Sequence, residues 1–199
     1  ECSGCGTEYT HTEIHTFCLD CQSPLLAIYD MENARQHVDR EEISRRRKGM
    51  WRWSELLPVL NVENQIFLGE GDTPLLSLPH LEKELGLSHL YVKDESSNPT
   101  GSFKARGLAA AVSKAKELGV EKVIIPTAGN AGGAMAAYAA RAGLKAYIFM
   151  PKDTPFANIQ ESRMAGAEVV LVDGLISDAA GMAGEKARAE GWFDVSTFK

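Results

Sequence analysis

Three groups of residues have side chains whose type and spacing suit chemistry. All four cysteines fall in the first 21 residues, as Cys2-x-x-Cys5 and Cys18-x-x-Cys21, with 12 residues between the pairs. Two such knuckles can set four thiolates at the corners of a tetrahedron, which satisfies zinc. Gly4 and Gly6 flank the first knuckle and permit its tight turn. A fully cysteine-ligated ion keeps no open position, so the spacing predicts a structural metal, zinc or iron, with a redox dithiol pair as the competing reading. His11 and His15 lie between the knuckles, but four cysteines already suffice, and both are read as surface histidines. The second group is Asn98-Pro99-Thr100-Gly101-Ser102-Phe103-Lys104. Taken alone, a lysine in such a loop is most often a solvated charge. The third is Thr127-Ala128-Gly129-Asn130-Ala131-Gly132-Gly133, where glycines and a helix start would turn unpaired amides toward an anion. Close packing of helix on sheet is the competing reading of the same glycines, and they do not match the dinucleotide fingerprint Gly-x-Gly-x-x-Gly.

The elements that must position these groups follow from periodicity. Short apolar runs at Leu90-Tyr91-Val92, 122–126, 146–150 and 168–172 alternate with helical stretches at 103–118, 130–142, 155–165 and about 176–189. Gly119, Gly143, Gly166 and Gly191 stand where helix ends are expected. The alternation predicts an α/β fold: a mostly parallel open sheet with helices on both faces, preceded by a small four-cysteine, zinc-ribbon-like unit. Residues 1–30 form that unit, ending in a strand at 25–30, and are too few to fold on apolar burial alone. Residues 31–78 form a linker helix (32–48) and the entry to the catalytic fold, and residues 79–199 form the α/β region. The run Arg45-Arg46-Arg47-Lys48 reads as a solvated helix end facing carbonyl groups rather than a nucleic-acid patch. Trp51 and Trp53 are expected to anchor the linker by packing.

The composition excludes several classes. The chain has 199 residues, 44% apolar, and 21 basic against 27 acidic side chains give a net charge of −6. That balance works against nucleic acid as a partner. No apolar stretch approaches the roughly 18 residues a membrane span needs, and the amino terminus lacks the pattern of a signal peptide, so no membrane and a cytoplasmic location are expected. The chain starts without methionine, and a longer natural protein is expected.

The stretch Ser97–Gly107, with Ser102-Phe103-Lys104-x-Arg106-Gly107, resembles the cofactor-lysine motif of the pyridoxal-phosphate enzymes of the tryptophan-synthase β type, fold type II. The resemblance implies that Lys104 holds pyridoxal 5'-phosphate as a Schiff base. It also implies that Asn130 meets the cofactor ring hydroxyl, while Thr127, Ala128, Gly129, Asn130 and Ala131 grip a substrate carboxylate. Within that group, the cysteine unit, Gly49-Met50-Trp51-Arg52-Trp53-x-Glu55-Leu56-Leu57-Pro58 and Leu68-Gly69-Glu70-Gly71-x-Thr73-Pro74-Leu75 are similar to the threonine synthases. What that implies is a lyase converting O-phosphohomoserine and water to threonine and phosphate, a homodimer, and contact of Ser196 and Thr197 with the departing phosphate. Arg106 and Lys93 are available cations, read here as paired with carboxylates instead. Other readings are cysteate synthase, a serine or threonine dehydratase, and a catalytically dead domain fused to a zinc-ribbon interaction module.

Two departures stand out. Ala105 occupies the position where many relatives carry aspartate. The phosphate-cradling glycine loop and the partner of the pyridine nitrogen have no counterpart in the chain. They are expected beyond Lys199, and weak or no activity is expected of these residues alone.

Overall fold

The computed structural model describes residues 1–196. Its centre is a four-stranded parallel sheet of β3 (Lys122–Pro126), β4 (Lys145–Pro151), β5 (Glu168–Val172) and β6 (Phe193–Asp194), in the spatial order β5-β4-β3-β6. Ile125 pairs with Ile148, Ile148 with Val169, and Val123 with Phe193. Successive strand side chains point to opposite faces. Val123, Ile125, Ala146, Ile148 and Met150 therefore join one core, while Ile124, Phe149 and Val172 join another.

Helices α4 (Lys104–Glu117), α5 (Asn130–Ala142) and α6 (Phe156–Met164) cover the first face; α7 (Ile176–Glu190) covers the second through Ala179, Ala183 and Ala187. Leu108, Ala109, Val112 and Ala115 of α4 recur at helical spacing on its buried side. Gly132 lets α5 approach the sheet: a Cβ there would stand 2.7 Å from Met150 Cε and 3.0 Å from Thr127 Cγ2. The chain passes from β3 through α5 to β4 on one side, then returns from β5 through α7 to β6 on the other. The topology thus switches between β3 and β6, and open α/β sheets bind ligands outside the strand ends at such a point.

Several expectations need correction. The strand near residue 91 does not join the parallel sheet. Instead β2 (Tyr91–Lys93) pairs antiparallel with β1 (Leu75–Ser77), with Leu76 opposite Val92, and α3 (Pro79–Leu85) connects them. The linker is not one helix. It breaks into α1 (Met31–His37) and α2 (Arg40–Arg45) because Asp39 turns its carboxylate to the amides of Glu41 and Glu42 and starts a new helix. The strand expected at 25–30 is reduced to one bridge, Cys2 with Leu25, and Ile28 beyond it is 66% exposed. Trp51 packs on the core and donates its indole N–H to the Ile66 carbonyl (3.0 Å), but Trp53 is 49% exposed. No helix among the described residues is long and apolar enough to cross a membrane.

Candidate active site and metal centre

The four cysteines converge. Their Sγ atoms all lie within 4.8 Å of one another, with Cys2 and Cys21 3.4 Å apart and Cys5 and Cys18 3.5 Å apart. Tetrahedral Zn–S bonds of about 2.3 Å require S···S spacings of about 3.8 Å, so the set is close to a ligand cage. The amides of Gly4 and Cys5 donate to Cys2 Sγ at 3.3 and 3.4 Å. Tyr9 donates its hydroxyl to Cys18 Sγ (3.3 Å) while accepting the Leu19 amide (2.8 Å). That hydroxyl lowers the Cys18 pKa to about 6, with the amides of Cys21 and Asp20 adding to it and burial opposing it. A hydrogen bond to the charged form favours the thiolate, which is the form that binds metal. His11 and His15 stay outside the cluster; His11 is exposed as expected, whereas His15 is half-buried with its ring edge-on to Tyr9 (centroids 5.0 Å apart).

The lysine loop folds as two short turns, 95–97 and 99–101, before α4. Thr100 and Gly101 both take positive φ, +61° and +65°, which turns the chain sharply into the helix. Lys104 is the first residue of α4 and is half-buried, with its amide bonded to Ser102 Oγ at 3.3 Å. Its ammonium lies 5.0 Å from the centroid of the Phe103 ring and makes no salt bridge among the described residues. Ala105 is fully buried in the core, so an aspartate there would need a partner the apolar surroundings do not offer.

The turn is pinned by a network that local sequence patterns did not reveal. Glu95 receives Arg106 Nε (2.6 Å) and Nη2 (2.8 Å), Thr73 Oγ1 (2.6 Å) and Asn98 Nδ2 (2.8 Å). Asn98 Oδ1 in turn accepts the Gly71 amide (3.1 Å). The Arg106 guanidinium, helped by Thr73 and Asn98, holds the Glu95 carboxyl at about 2. Arg106 is thus occupied as expected, whereas Lys93 pairs with the Thr73 carbonyl rather than a carboxylate. A second anchor is Glu70, fully buried, which accepts the Tyr138 hydroxyl (2.7 Å) and the Leu68 amide (3.1 Å) through one oxygen. Its other oxygen has no hydrogen-bond partner among the described residues. The pair ties the 68–73 loop to α5, and burial, then Glu70, pushes the Tyr138 hydroxyl well above the usual phenol range.

The asparagine loop leaves the carboxyl end of β3, at the switch point. The Thr127 amide bonds to the Phe149 carbonyl (2.9 Å), and Thr127 Oγ1 accepts the Gly129 amide (3.2 Å). The Thr127 hydroxyl therefore closes the loop on itself. Ala128 and Asn130 are exposed, and Gly129 and Ala131 half-buried. Asn130 Oδ1 accepts Asn158 Nδ2 (3.2 Å), which leaves the Asn130 amide group free to donate. No side chain caps α5, so its first amides face the loop. Glu161 of α6 lies over Gly133 in the next turn, and burial raises its pKa.

The lysine turn packs on α5, as does α4, so both loops are held by the same helix. The lysine loop, contrary to expectation, leaves β2 and not a strand of the parallel sheet. Ser196 follows β6 and bonds through its amide to Asp194 (2.9 Å), while Thr197 lies outside the described residues. Glu95, Thr73, Glu70 and Tyr138 were not among the sequence candidates. The only signal available was the Gly-x-Thr-Pro segment, which the structure connects to Arg106 through Glu95.

Comparison with known proteins identifies the family. The family model described as pyridoxal-phosphate dependent enzyme matches residues 66–199. The threonine synthase of Methanocaldococcus jannaschii is 40% identical over 188 residues, 94% of this chain and 46% of that protein. That of Methanosarcina acetivorans is 35% identical over 180 residues, 90% of this chain and 44% of that protein. The chain therefore spans about half the length of these curated relatives. Among solved structures, the apo form of Escherichia coli diaminopropionate ammonia lyase superposes with a TM-score of 0.60 at 27% identity, over 66% of this chain and 42% of that one. O-ureido-L-serine synthase superposes with a TM-score of 0.57 at 30% identity, over 62% and 40%.

Proposed function

Because the chain belongs to the pyridoxal-phosphate-dependent enzyme family, we propose that Lys104 is the amine that carries the cofactor, and that the whole protein converts O-phosphohomoserine and water to L-threonine and phosphate. The observation that carries the first part is the half-buried Lys104 ammonium, with no carboxylate partner among the described residues, at the start of a helix packed on α5. An amine committed to an ion pair would have to break it before reacting; this one does not. The donors present also fit the group: among the described residues the Asn130 amide group has no acceptor and can turn toward the cofactor hydroxyl, and Thr100 Oγ1, in the turn, is buried without a hydrogen-bond partner. The reaction assignment is supported by the similarity to two threonine synthases over nearly the whole chain.

When bound, the cofactor would supply an electron sink for carbanion chemistry next to the substrate amine. The protein's own contributions follow from the geometry. Lys104 Nζ gives and takes protons at the substrate carbons nearest that amine. The uncapped first turn of α5, with Ala128, Gly129 and Ala131, binds the substrate carboxylate through backbone amides. Thr127 keeps that loop in shape, and Glu95 with Arg106 fixes the turn from which Lys104 projects. Thr197 is retained as a contact for the departing phosphate. The four cysteines hold zinc, which folds the first 30 residues and takes no part in the reaction.

The test is product analysis on the full-length protein. Equal amounts of threonine and phosphate from O-phosphohomoserine support the assignment. Ammonia and a 2-oxo acid from serine or threonine, with O-phosphohomoserine left intact, would place the protein with the dehydratases instead.

A further inference from the structure

The run Arg45-Arg46-Arg47-Lys48 has no part in the proposed reaction, and its surroundings give it another use. Arg46, Arg47, Lys48 and Arg52 form the basic wall of a pocket of about 310 Å³ whose other wall includes Trp51 and Phe67. The cations are not equivalent. Arg46 is spent on Glu42 (2.8 Å) and Glu55 (2.5 Å), and Arg52 on Asp72 (3.3 Å). Arg45, outside the pocket, pairs with Glu41 (3.3 Å). Arg47 and Lys48 have no acidic partner among the described residues. The Arg47 guanidinium carbon lies over the Phe67 ring, 4.4 Å from its centroid, on an otherwise exposed side chain whose N–H groups have no hydrogen-bond partner among the described residues. A guanidinium stacked on a ring in this way keeps the planar fork that matches an oxyanion. The Trp51 indole N–H is taken by the Ile66 carbonyl, so that ring offers only its apolar surface.

We propose that this pocket binds a small phosphate monoester, its phosphate on Arg47 and Lys48 and its organic part against Trp51. The volume lies at the small end of the range for ligand sites, roughly 300–1,000 Å³, and suits one phosphate with a short or single-ring substituent. A polyanion is disfavoured because the three neighbouring carboxylates and the net charge of −6 repel a long phosphate backbone. On its Arg52 side the pocket is joined through Asp72 to the 68–73 loop, and on its Phe67 side it meets α4 away from the reactive lysine: Ile66, next to Phe67, bonds to Ser113 Oγ (2.8 Å), nine residues along α4 from Lys104. That is about 13 Å at 1.5 Å per residue. The inference therefore stands whether or not the proposed reaction does.

Calorimetric titration of the full-length protein at low salt tests it, with phenyl phosphate, inorganic phosphate and phenol as probes. Phenyl phosphate should bind saturably with a dissociation constant of about 1 mM or below, more tightly than inorganic phosphate, and phenol should not bind. Combined Arg47→Ala and Lys48→Ala substitution should weaken phenyl phosphate about tenfold or more, and added salt should weaken it too. Glu55→Gln, by removing one of the two carboxylates that neutralise Arg46, should tighten it severalfold, and Lys104→Ala should leave it unchanged. Equal affinity for the double variant and wild type overturns the proposal. So does loss of binding in Lys104→Ala, or equal binding of phosphate and phenyl phosphate.

Discussion

Replacing Glu95 by glutamine keeps the shape of the side chain and removes the charge that holds four donors. In the native turn Glu95 receives both nitrogens of the Arg106 fork, the Thr73 hydroxyl and the Asn98 amide. Glutamine turns an NH₂ group toward one of those donors and leaves the Arg106 charge without a counter-charge. Folding lowers the Glu95 pKa from 4.5 to about 2, chiefly through Arg106. Taken at face value, a shift of that size is worth about 3 kcal/mol. The pair is partly open to water, with side chains 34% and 26% exposed, so screening reduces this to about 1–2 kcal/mol. At neutral pH, Glu95→Gln should therefore lose about 1–2 kcal/mol in urea unfolding, or roughly 2–8 °C in melting temperature for a chain of this size. Because the folded pKa is depressed, this stability is fully present above pH 4.5 and disappears as the pH falls toward 2. The difference between wild type and variant should thus be constant from pH 5 to 7 and shrink steadily below pH 4.5. A variant as stable as wild type at pH 7, or a difference that persists undiminished at pH 2.5, would refute the reasoning.

Gly132→Ala places a methyl against Met150 Cε, Thr127 Cγ2 and Ser162 Oγ at once, and overpacking of about 1–3 kcal/mol should outweigh the helix-propensity gain of about 1 kcal/mol, as a lower urea midpoint would report. Tyr138→Phe strips Glu70 of its hydroxyl donor inside the core, leaving the Leu68 amide as its one partner among the described residues. The expected cost is about 1–3 kcal/mol, read in the same unfolding assay. Metal analysis should find one zinc per chain. A chelator, or Cys18→Ser, should unfold residues 1–30 while the far-ultraviolet spectrum of the α/β region persists; retention of zinc by the serine variant would contradict the cage.

The parts of this fold that were legible in the sequence are those fixed by local signals. Helix α5 runs Asn130–Ala142 as expected because Gly129 and Gly143 mark both ends and Gly143 adopts the left-handed cap. Strands β3, β4 and β5 were visible as short apolar runs because both faces of the sheet are covered. The pairing of β1 with β2 was not legible: Leu75–Ser77 is three residues long and exposed on both faces, so it carries neither length nor alternation. The broken linker helix depended on Asp39 preferring amides two and three residues ahead, a local competition that apolar periodicity does not register. At the site, Lys104, Asn130 and the cysteines were recognisable by motif. Glu95 lay in no quoted motif, and Glu70 lay in one without a role, because a charged residue becomes a hub only when the fold brings Thr73, Arg106 or Tyr138 to it from distant parts of the chain.

The central claim is that Lys104 carries the cofactor, and visible absorbance of the full-length protein titrated with pyridoxal phosphate, followed by borohydride reduction and peptide mapping, tests it most directly. The account predicts a saturating band near the visible edge, absent in Lys104→Ala, and a reduced cofactor adduct on the peptide containing Lys104. A band of equal intensity in the alanine variant, or an adduct on a different lysine, would contradict it.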